Sequence, residues 1–238
     1  MLTQLRSFVF TAFLILMVLI MGIICLPMII NKNSARKTIQ LWARLTLWNL
    51  RIITGVSYRI EGAENIPQGG AIVAANHQSM WETIALYALM PQPVMILKKE
   101  LLKIPVYGWW ASGADNIPVD RKGGAKALRA MTRKAADHIM AGEQVIVFPE
   151  GTRIPPGERA SIKPGVAGLY AALNTVCVPV AHDSGRFWRH PGIKKEPGTI
   201  TLRILPSIAP GLNRKEFTNE LRTRLESARP DLERLSDD

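Results

Sequence analysis

The segment Ala71-Ile-Val-Ala-Ala-Asn-His-Gln-Ser-Met-Trp-Glu82 holds a strand, a turn and the start of a helix. Its first five residues are apolar and small or β-branched, a pattern typical of a buried strand. Ser79 and Glu82 have the spacing of a capping box, ahead of an apolar-periodic run that continues to about Met90. His77 is therefore predicted to lie in the short turn between strand and helix, where open α/β sheets place their chemistry.

A second segment, Gln144-Val-Ile-Val-Phe-Pro-Glu-Gly-Thr-Arg153, has the same form, because an apolar run of strand type enters a Pro/Gly turn. The turn carries the charged residues Glu150 and Arg153. The carboxyl ends of parallel strands meet at one edge of a sheet, so the imidazole of His77 and the guanidinium of Arg153 are predicted to share a crevice.

From residue 55 onward, strand-like and helix-like segments alternate, which indicates an α/β fold with a mainly parallel sheet flanked by helices. The predicted strands are residues 56–60, 71–76, 94–97, 116–119, 144–148, 176–180 and 199–204. The predicted helices are residues 79–90, 101–110, 124–140, 164–173 and 214–228. Residues 230–238 are expected to fray, because chain ends are seldom tied down.

The N-terminal segment is predicted to attach the protein to a membrane. Residues 8–30 contain no charged side chain and can cross a hydrocarbon layer of ~30 Å, which takes roughly 20 apolar residues. A signal peptide fits poorly, since the run is too long and no A-x-A site follows. The buried helix of a soluble protein is the other alternative. One arginine precedes the run and five basic residues follow it by position 51, so the positive-inside rule places the chain after Lys32 on the cytoplasmic side of the inner membrane.

Residues 35–53 form an amphipathic segment typical of an interfacial helix, with arginines able to extend their charged ends to water. The two helices could instead dip together into one leaflet. Trp42 and Trp48 could lie in the headgroup layer or pack on the following domain. The chain is accordingly divided into a membrane anchor, residues 1–54, and a following α/β domain, residues 55–238, which contains the motifs described below.

The composition predicts an anionic partner. The formal net charge is +11, which favours binding to anionic lipid, to a phosphorylated substrate or to nucleic acid. The basic residues flank the apolar segment and lie at predicted strand ends rather than in one stripe, so no nucleic acid partner is expected.

Several motifs, in order along the chain, resemble those of the glycerophospholipid acyltransferase family. Residues Asn76–Glu82 are similar to its N-H-x-S-x-x-D box, and residues Phe148–Arg153 match its F-P-E-G-T-R box. The family's middle motif is matched in position by Lys99, Pro105 and Gly108, followed by residues 117–121. Residues 178–180 resemble its last motif. The resemblance covers roughly residues 55–210 and departs from the family at Glu82, where the family usually has Asp.

The resemblance implies a membrane enzyme with a glycerolipid acyltransferase-like fold. Such an enzyme transfers a fatty acyl group from acyl-CoA or acyl carrier protein to a lysophospholipid. The acceptor is the sn-2 hydroxyl of 1-acylglycerol 3-phosphate, and the product is phosphatidic acid. The enzyme works in contact with membrane lipids. The motifs leave two other acceptors open, glycerol 3-phosphate and lyso-ornithine lipid. A non-catalytic membrane protein that binds lipid would share the anchor and the charge but would need neither His77 nor Glu82.

Transfer from a thioester to a hydroxyl needs a base, and a positioned neutral imidazole contributes roughly 10²–10⁴-fold near pH 7. The resemblance assigns this role to His77 and implies that Glu82 orients the ring and stabilises the imidazolium. The pairing requires His77 to precede the helix, because residues five apart in one continuous helix face different ways. The alternative is a capping box in which Glu82 bonds only the Ser79 amide, beside an ordinary turn histidine.

The second box is the candidate phosphate site. The guanidinium of Arg153 can bind phosphate oxygens in a bidentate manner, with backbone amides near Gly151 and Thr152 as further donors. Glu150 is expected to orient Arg153 or a substrate hydroxyl. Two further cations at predicted strand ends are candidates for the same pocket, Lys99 and Arg121. The alternative is a tight turn with solvated side chains.

Other chemistries are disfavoured. No serine lies in a G-x-S-x-G elbow, neither cysteine has the context of a nucleophile, and the four histidines lack metal-ligand spacing. We therefore expect no metal, no cofactor beyond the acyl thioester co-substrate, and direct attack without a covalent intermediate. His182, near the end of a predicted strand, is expected at the rim of the pocket.

Overall fold

The computed structural model describes residues 1–233, and its centre is a single sheet. The strands are β1 Val56–Glu61, β2 Ala71–Ala75, β3 Pro93–Lys98, β4 Ile117–Val119, β5 Gln144–Val147, β6 Cys177–His182 and β7 Gly198–Ile204. Their order is β1-β7-β6-β2-β5-β3-β4. Within the described residues, neighbouring strands pair in parallel except β6 and β7, which are antiparallel. The predicted α/β fold with a mainly parallel sheet is confirmed.

Helices cover both faces of this sheet. They are α1 Leu2–Ile24, α2 Lys32–Thr54, α3 Trp81–Leu89, α4 Tyr107–Gly113, α5 Gly124–Met140, α6 Pro164–Leu173, α7 Arg214–Ala228 and α8 Pro230–Glu233. Side chains of α1, α2 and α3 share one apolar layer, and those of α5, α6 and α7 share the other. A strand between two such layers is buried on both sides, which explains why β2 is a continuous apolar run instead of an alternating one.

Helix α1 is long and apolar enough to cross a membrane, with a mean hydropathy of 2.8 over its most apolar window, most of which is not buried. It packs against α2. Bulky apolar side chains of both helices remain exposed, among them Phe8 and Trp48. Trp42, by contrast, packs partly buried against the core of the domain. The two tryptophans thus take different environments, and the exposed apolar surface is consistent with membrane association.

Polar contacts fasten α2 to the domain. The buried guanidinium of Arg36 pairs with both carboxylate oxygens of Glu143, and its Nε donates to the carbonyl of Ala114. His138 Nδ1 lies 2.5 Å from the same carboxylate of Glu143. Residues 1–54 and the sheet therefore share one packed structure.

Several element boundaries differ from expectation by one or a few residues, and the helix predicted over residues 101–110 is a 3-10 helix, Lys99–Lys103, followed by α4. Helix α3 begins at Trp81 instead of Ser79, because residues 77–80 form the turn that follows β2. The prediction of fraying from residue 230 is wrong for the residues of α8, since Asp231 is only 5% exposed and is held by hydrogen bonds. Residues 234–238 lie outside the described part of the chain.

Candidate active site

The turn after β2 is fixed to the end of β6. The Asn76 amide nitrogen Nδ2 donates to the carbonyl of His182 at 3.0 Å, and the His182 backbone amide donates to Asn76 Oδ1 at 2.9 Å. These paired bonds extend the contact between β2 and β6 past their last paired residues, Ala75 and Val180. His77 follows directly, at the carboxyl edge of the sheet and ahead of α3, as the sequence predicts.

The carboxylate of Glu82 is fully buried and receives hydrogen bonds on both oxygens. Its Oε1 lies 2.7 Å from His77 Nδ1 and accepts from the backbone amides of Gln78 and Ser79, each at 2.8 Å. Its Oε2 accepts from the hydroxyls of Ser79 and Ser184, each at 2.7 Å. The Ser79 amide contact expected of a capping box and the His77 contact therefore coexist in one carboxylate, so Glu82 does not bond the Ser79 amide alone.

These hydrogen bonds determine the charge of Glu82. Burial alone would raise the pKa of this carboxyl, but the neighbouring imidazoles of His182 and His77 and the hydroxyl of Ser184 hold the pKa well below its usual range. Burial also lowers the pKa of His182. Glu82 is therefore ionised at pH 7, and an ionised Glu82 favours the His77 tautomer with a proton on Nδ1.

Glu150 holds the main chain of His77. Its Oε2 accepts from the His77 backbone amide at 2.7 Å, while the imidazole stacks on Phe148 with ring centroids 4.3 Å apart. Burial raises the pKa of Glu150 to about 7. Glu150 was expected to orient Arg153 or a substrate hydroxyl. The structure instead places its carboxylate on His77, because the two turns lie at adjacent strand ends.

Arg153 and Arg121 converge on the second turn. Arg153 Nε donates to the carbonyl of Ser79 at 2.9 Å, and its Nη1 lies 3.4 Å from the ring nitrogens of His190. Arg121 Nη1 lies 2.5 Å from the carbonyl of Gly151. Both guanidiniums line the same cavity as His77 and Thr152. The structure thus brings the predicted base and two predicted cations to one space.

Gly151 serves the geometry of this turn. Its φ of 69° lies in the left-handed region that favours glycine, and its amide donates to the carbonyl of Phe148 at 3.0 Å. That amide is therefore engaged within the turn, contrary to the expectation that it would face a phosphate.

Lys99 is placed differently from the prediction. It begins a 3-10 helix after β3, whereas Lys98, the last residue of β3, lines the cavity. Successive residues at a strand end point in different directions, so a shift of one position changes which side chain reaches the pocket. Among residues 1–233, no group of three or more His, Cys, Asp or Glu side chains is arranged to hold a metal ion.

The cavity has a volume of about 610 Å³ and a divided lining. The polar part includes His77, Thr152 and the two arginines. The apolar part comes from helices α1, α2, α3 and α4 and from strand β3, with these examples: Leu14, Ile39, Ile84, Ile96 and Trp110. A charged headgroup and a hydrocarbon chain could therefore occupy one continuous space, and the N-terminal helices form part of its wall.

The sequence did not point to two residues of this site, Ser184 and His190, and it led to a wrong placement of a third, His182. Ser184 bonds Glu82, and His190 lies beside Arg153. His182 was expected at the pocket rim but is fully buried, because its Nε2 bonds the Asn76 carbonyl at 2.6 Å and its Nδ1 faces the Ser184 amide. The one available signal was the polar run His182–Ser184 at the end of a buried strand.

Comparisons with known proteins agree with the resemblance found in the motifs. An acyltransferase family model matches residues 57–183. A 1-acyl-sn-glycerol-3-phosphate acyltransferase of Pseudomonas aeruginosa is 33% identical over 182 residues, which is 76% of this chain and 71% of that protein. The human 1-acyl-sn-glycerol-3-phosphate acyltransferase alpha is 26% identical over 80% of this chain and 68% of its own length.

A solved structure has the same fold. The crystal structure of the 1-acyl-sn-glycerophosphate acyltransferase PlsC from Thermotoga maritima matches with a TM-score of 0.81. The match covers 99% of this chain and 97% of that one, at 22% sequence identity. The N-terminal helices are included in a match of this extent.

Proposed function

This chain belongs to the acyltransferase family, and from that premise we propose that it transfers a fatty acyl group from an acyl thioester to the sn-2 hydroxyl of 1-acylglycerol 3-phosphate. The product is phosphatidic acid. The observation that carries the proposal is the shared cavity, in which His77 lies with Arg153 and Arg121 while the remaining wall is largely apolar. A phosphate monoester suits the arginines, and an acyl chain suits the apolar wall.

In the proposed reaction His77 is the general base. Its Nδ1 is paired with Glu82, so Nε2 is the nitrogen that takes the proton of the acceptor hydroxyl as the oxygen attacks the thioester carbonyl. Glu82 keeps the required tautomer and stabilises the imidazolium. Collapse of the tetrahedral intermediate forms the ester and expels the thiolate, which takes the proton back from His77. These steps need neither a metal nor a further cofactor.

The headgroup is assigned to the second turn. Arg153 is already oriented through its Nε bond to Ser79, which leaves Nη2 for a phosphate together with Nη1, whose contact with His190 is long at 3.4 Å. Arg121 adds a second positive charge, with Thr152 beside it. Acyl-CoA and acyl carrier protein both present the same thioester, and either is compatible with the proposal.

The test is an acceptor comparison with detergent-solubilised wild-type protein, given acyl-CoA or acyl carrier protein as donor. We expect 1-acylglycerol 3-phosphate to be acylated with a higher kcat/KM than glycerol 3-phosphate, which lacks the chain, or lyso-ornithine lipid, which lacks the phosphate. Arg153→Ala should remove most of this preference. Preferred acylation of lyso-ornithine lipid would replace the proposed acceptor, and no acylation of any acceptor by folded protein would favour a non-catalytic lipid-binding role.

We also propose that the protein resides in the inner membrane with its sheet domain facing the cytoplasm. Basic residues follow the apolar helix, and the exposed apolar side chains of α1 and α2 supply a surface for lipid. A thiol reagent that cannot cross membranes should fail to label a cysteine introduced at exposed Lys215 in intact spheroplasts but should label it after lysis. Labelling before lysis would reverse the orientation.

A further inference from the structure

A buried ion pair lies at the end of α7, far along the chain from the motif boxes. The guanidinium of Arg229 contacts the carboxylate of Asp231 twice, with Nε–Oδ1 at 3.2 Å and Nη2–Oδ2 at 2.6 Å. Both side chains are almost completely buried. Removing two charges from water is costly, and such a pair is stable only when its remaining polar atoms are also bonded.

The remaining bonds of Asp231 lead to the active site. Its Oδ2 accepts from Gln78 Nε2 at 2.9 Å and from the Gly157 backbone amide at 2.8 Å. Gln78 is the residue after His77, and Gly157 lies in the loop that follows Arg153. One carboxylate oxygen therefore joins the turn that carries the base to the loop that continues from the phosphate-binding turn.

Two further bonds widen this connection. The Oε1 of Gln78 accepts from the Gly185 amide at 3.1 Å, next to the serine that bonds Glu82. Arg229 Nη1 donates to the Glu158 carbonyl at 2.9 Å. Neither Arg229 nor Asp231 is among the residues that line the large cavity within the described chain. An influence on catalysis would therefore act through Gln78 and the loop.

We propose that Asp231 is a positioning residue for acyl transfer, which acts with the direct bonds of His77 to Glu150 and Ile154 to fix the spacing between His77 and the phosphate-binding turn. The inference rests on the proposed function. Its physical basis is that a displacement of about 1 Å between reacting groups costs up to roughly 100-fold in rate. The shared acceptor oxygen, rather than the ion pair as such, is the feature that matters for catalysis.

The test compares Asp231→Ala and Asp231→Asn with wild type in kcat, KM for 1-acylglycerol 3-phosphate, and Tm. Asp231→Ala removes the acceptor for both active-site segments, and we expect kcat to fall about 10- to 100-fold with KM changed less than about threefold. Asp231→Asn keeps one carbonyl oxygen for Gln78 and Gly157 but weakens the pair with Arg229. It should recover most of kcat even though its Tm is lowered.

A matched control is Glu226→Ala, which removes a carboxylate that pairs with exposed Arg159 at 3.7 Å and leaves the site connections intact. It should retain wild-type kcat. Equal kcat in folded Asp231→Ala and wild type, or equal loss in Asp231→Ala and Asp231→Asn, would overturn the inference and leave the ion pair a purely stabilising one. An inactive wild type on this acceptor would instead overturn the proposed function, and this inference with it.

Discussion

Two buried carboxyl groups touch the same histidine, and their pKa values are shifted in opposite directions. Glu82, at the start of α3, meets the His77 ring, whereas Glu150, in the turn after β5, meets the His77 backbone amide. Burial pushes both pKa values upward. Glu82 nevertheless has a pKa below its usual range, and Glu150 has a pKa of about 7. Burial therefore does not decide the charge of a carboxyl in this site.

The difference lies in the donors that each carboxylate meets. Glu82 receives hydrogen bonds from two backbone amides, two hydroxyls and the imidazole. Glu150 accepts the His77 amide and is influenced by Arg229 in one direction and by Glu82 and Asp231 in the other. A carboxylate that must stay ionised to orient a base is surrounded by donors, whereas one that only holds a backbone amide tolerates a proton.

The largest effect is expected from neutralising Glu82. In Glu82→Gln, the side-chain amide would present a donor or an uncharged acceptor to His77 Nδ1. The tautomer with a proton on Nδ1 would then be less favoured, and the imidazolium would be less stable. We expect kcat to fall roughly 10²–10⁴-fold, as for loss of a positioned general base. Glu150→Gln is the matched control, since its carbonyl still accepts the His77 amide, and its kcat should stay within about tenfold of wild type. Equal losses in the two variants would contradict the comparison.

Substitution in the second turn should affect binding more than chemistry. Arg153→Ala removes charge-assisted hydrogen bonds worth about 1.5–3 kcal/mol each, so KM for 1-acylglycerol 3-phosphate should rise roughly 10- to 100-fold. Arg153→Lys keeps the charge but loses the planar guanidinium, so its KM should lie between those of wild type and Arg153→Ala. The measurement is KM at saturating donor. A loss confined to kcat would assign Arg153 to the chemical step.

A double-mutant cycle can test whether Ser184 acts through Glu82. Ser184→Ala removes one of several donors, so kcat should fall only about fivefold. Glu82→Asp shortens the side chain by one methylene, and its carboxylate cannot keep every donor at its present distance. Ser184→Ala should therefore cost less in the Glu82→Asp background than in wild type, as measured by kcat. Strict additivity would show that the hydroxyl acts elsewhere.

The smallest effect concerns stability. The folded-state pKa of Glu150 is raised from 4.5 to about 7, so its protonated form is favoured by folding. The stabilisation is complete below the unfolded pKa and is lost as the pH rises through the folded value. Glu150→Gln does not titrate, so the variant should not lose stability as the pH rises. Its Tm should exceed that of wild type by about 5 °C at pH 8 but not at pH 5. The same Tm difference at both pH values would indicate that Glu150 does not titrate in this range.

The parts of the fold and site that the sequence predicted are local. The strand, turn and helix around His77 follow from an apolar run, polar turn residues and a capping spacing, all within twelve residues. The same holds for the turn that carries Arg153. These patterns also placed the two turns at one sheet edge, because parallel strands align their carboxyl ends.

The parts that could not be predicted depend on contacts between distant segments. Ser184 lies 102 residues from Glu82, and Asp231 lies 153 residues from Gln78. No spacing rule connects such positions. The error at the cavity, where Lys98 lies instead of the predicted Lys99, has another cause. The direction of a side chain at a strand end is known only when the last residue of the strand is known.

The central claim is that His77, paired with Glu82, removes the proton of the acceptor hydroxyl. The most direct test is thioester-dependent acylation of 1-acylglycerol 3-phosphate by wild type and His77→Ala at pH 7.5, with both proteins verified as folded and membrane-associated. The account predicts phosphatidic acid formation by wild type and a loss of kcat of roughly 10²–10⁴-fold in His77→Ala. A folded His77→Ala protein whose kcat stays within a few-fold of wild type would contradict it.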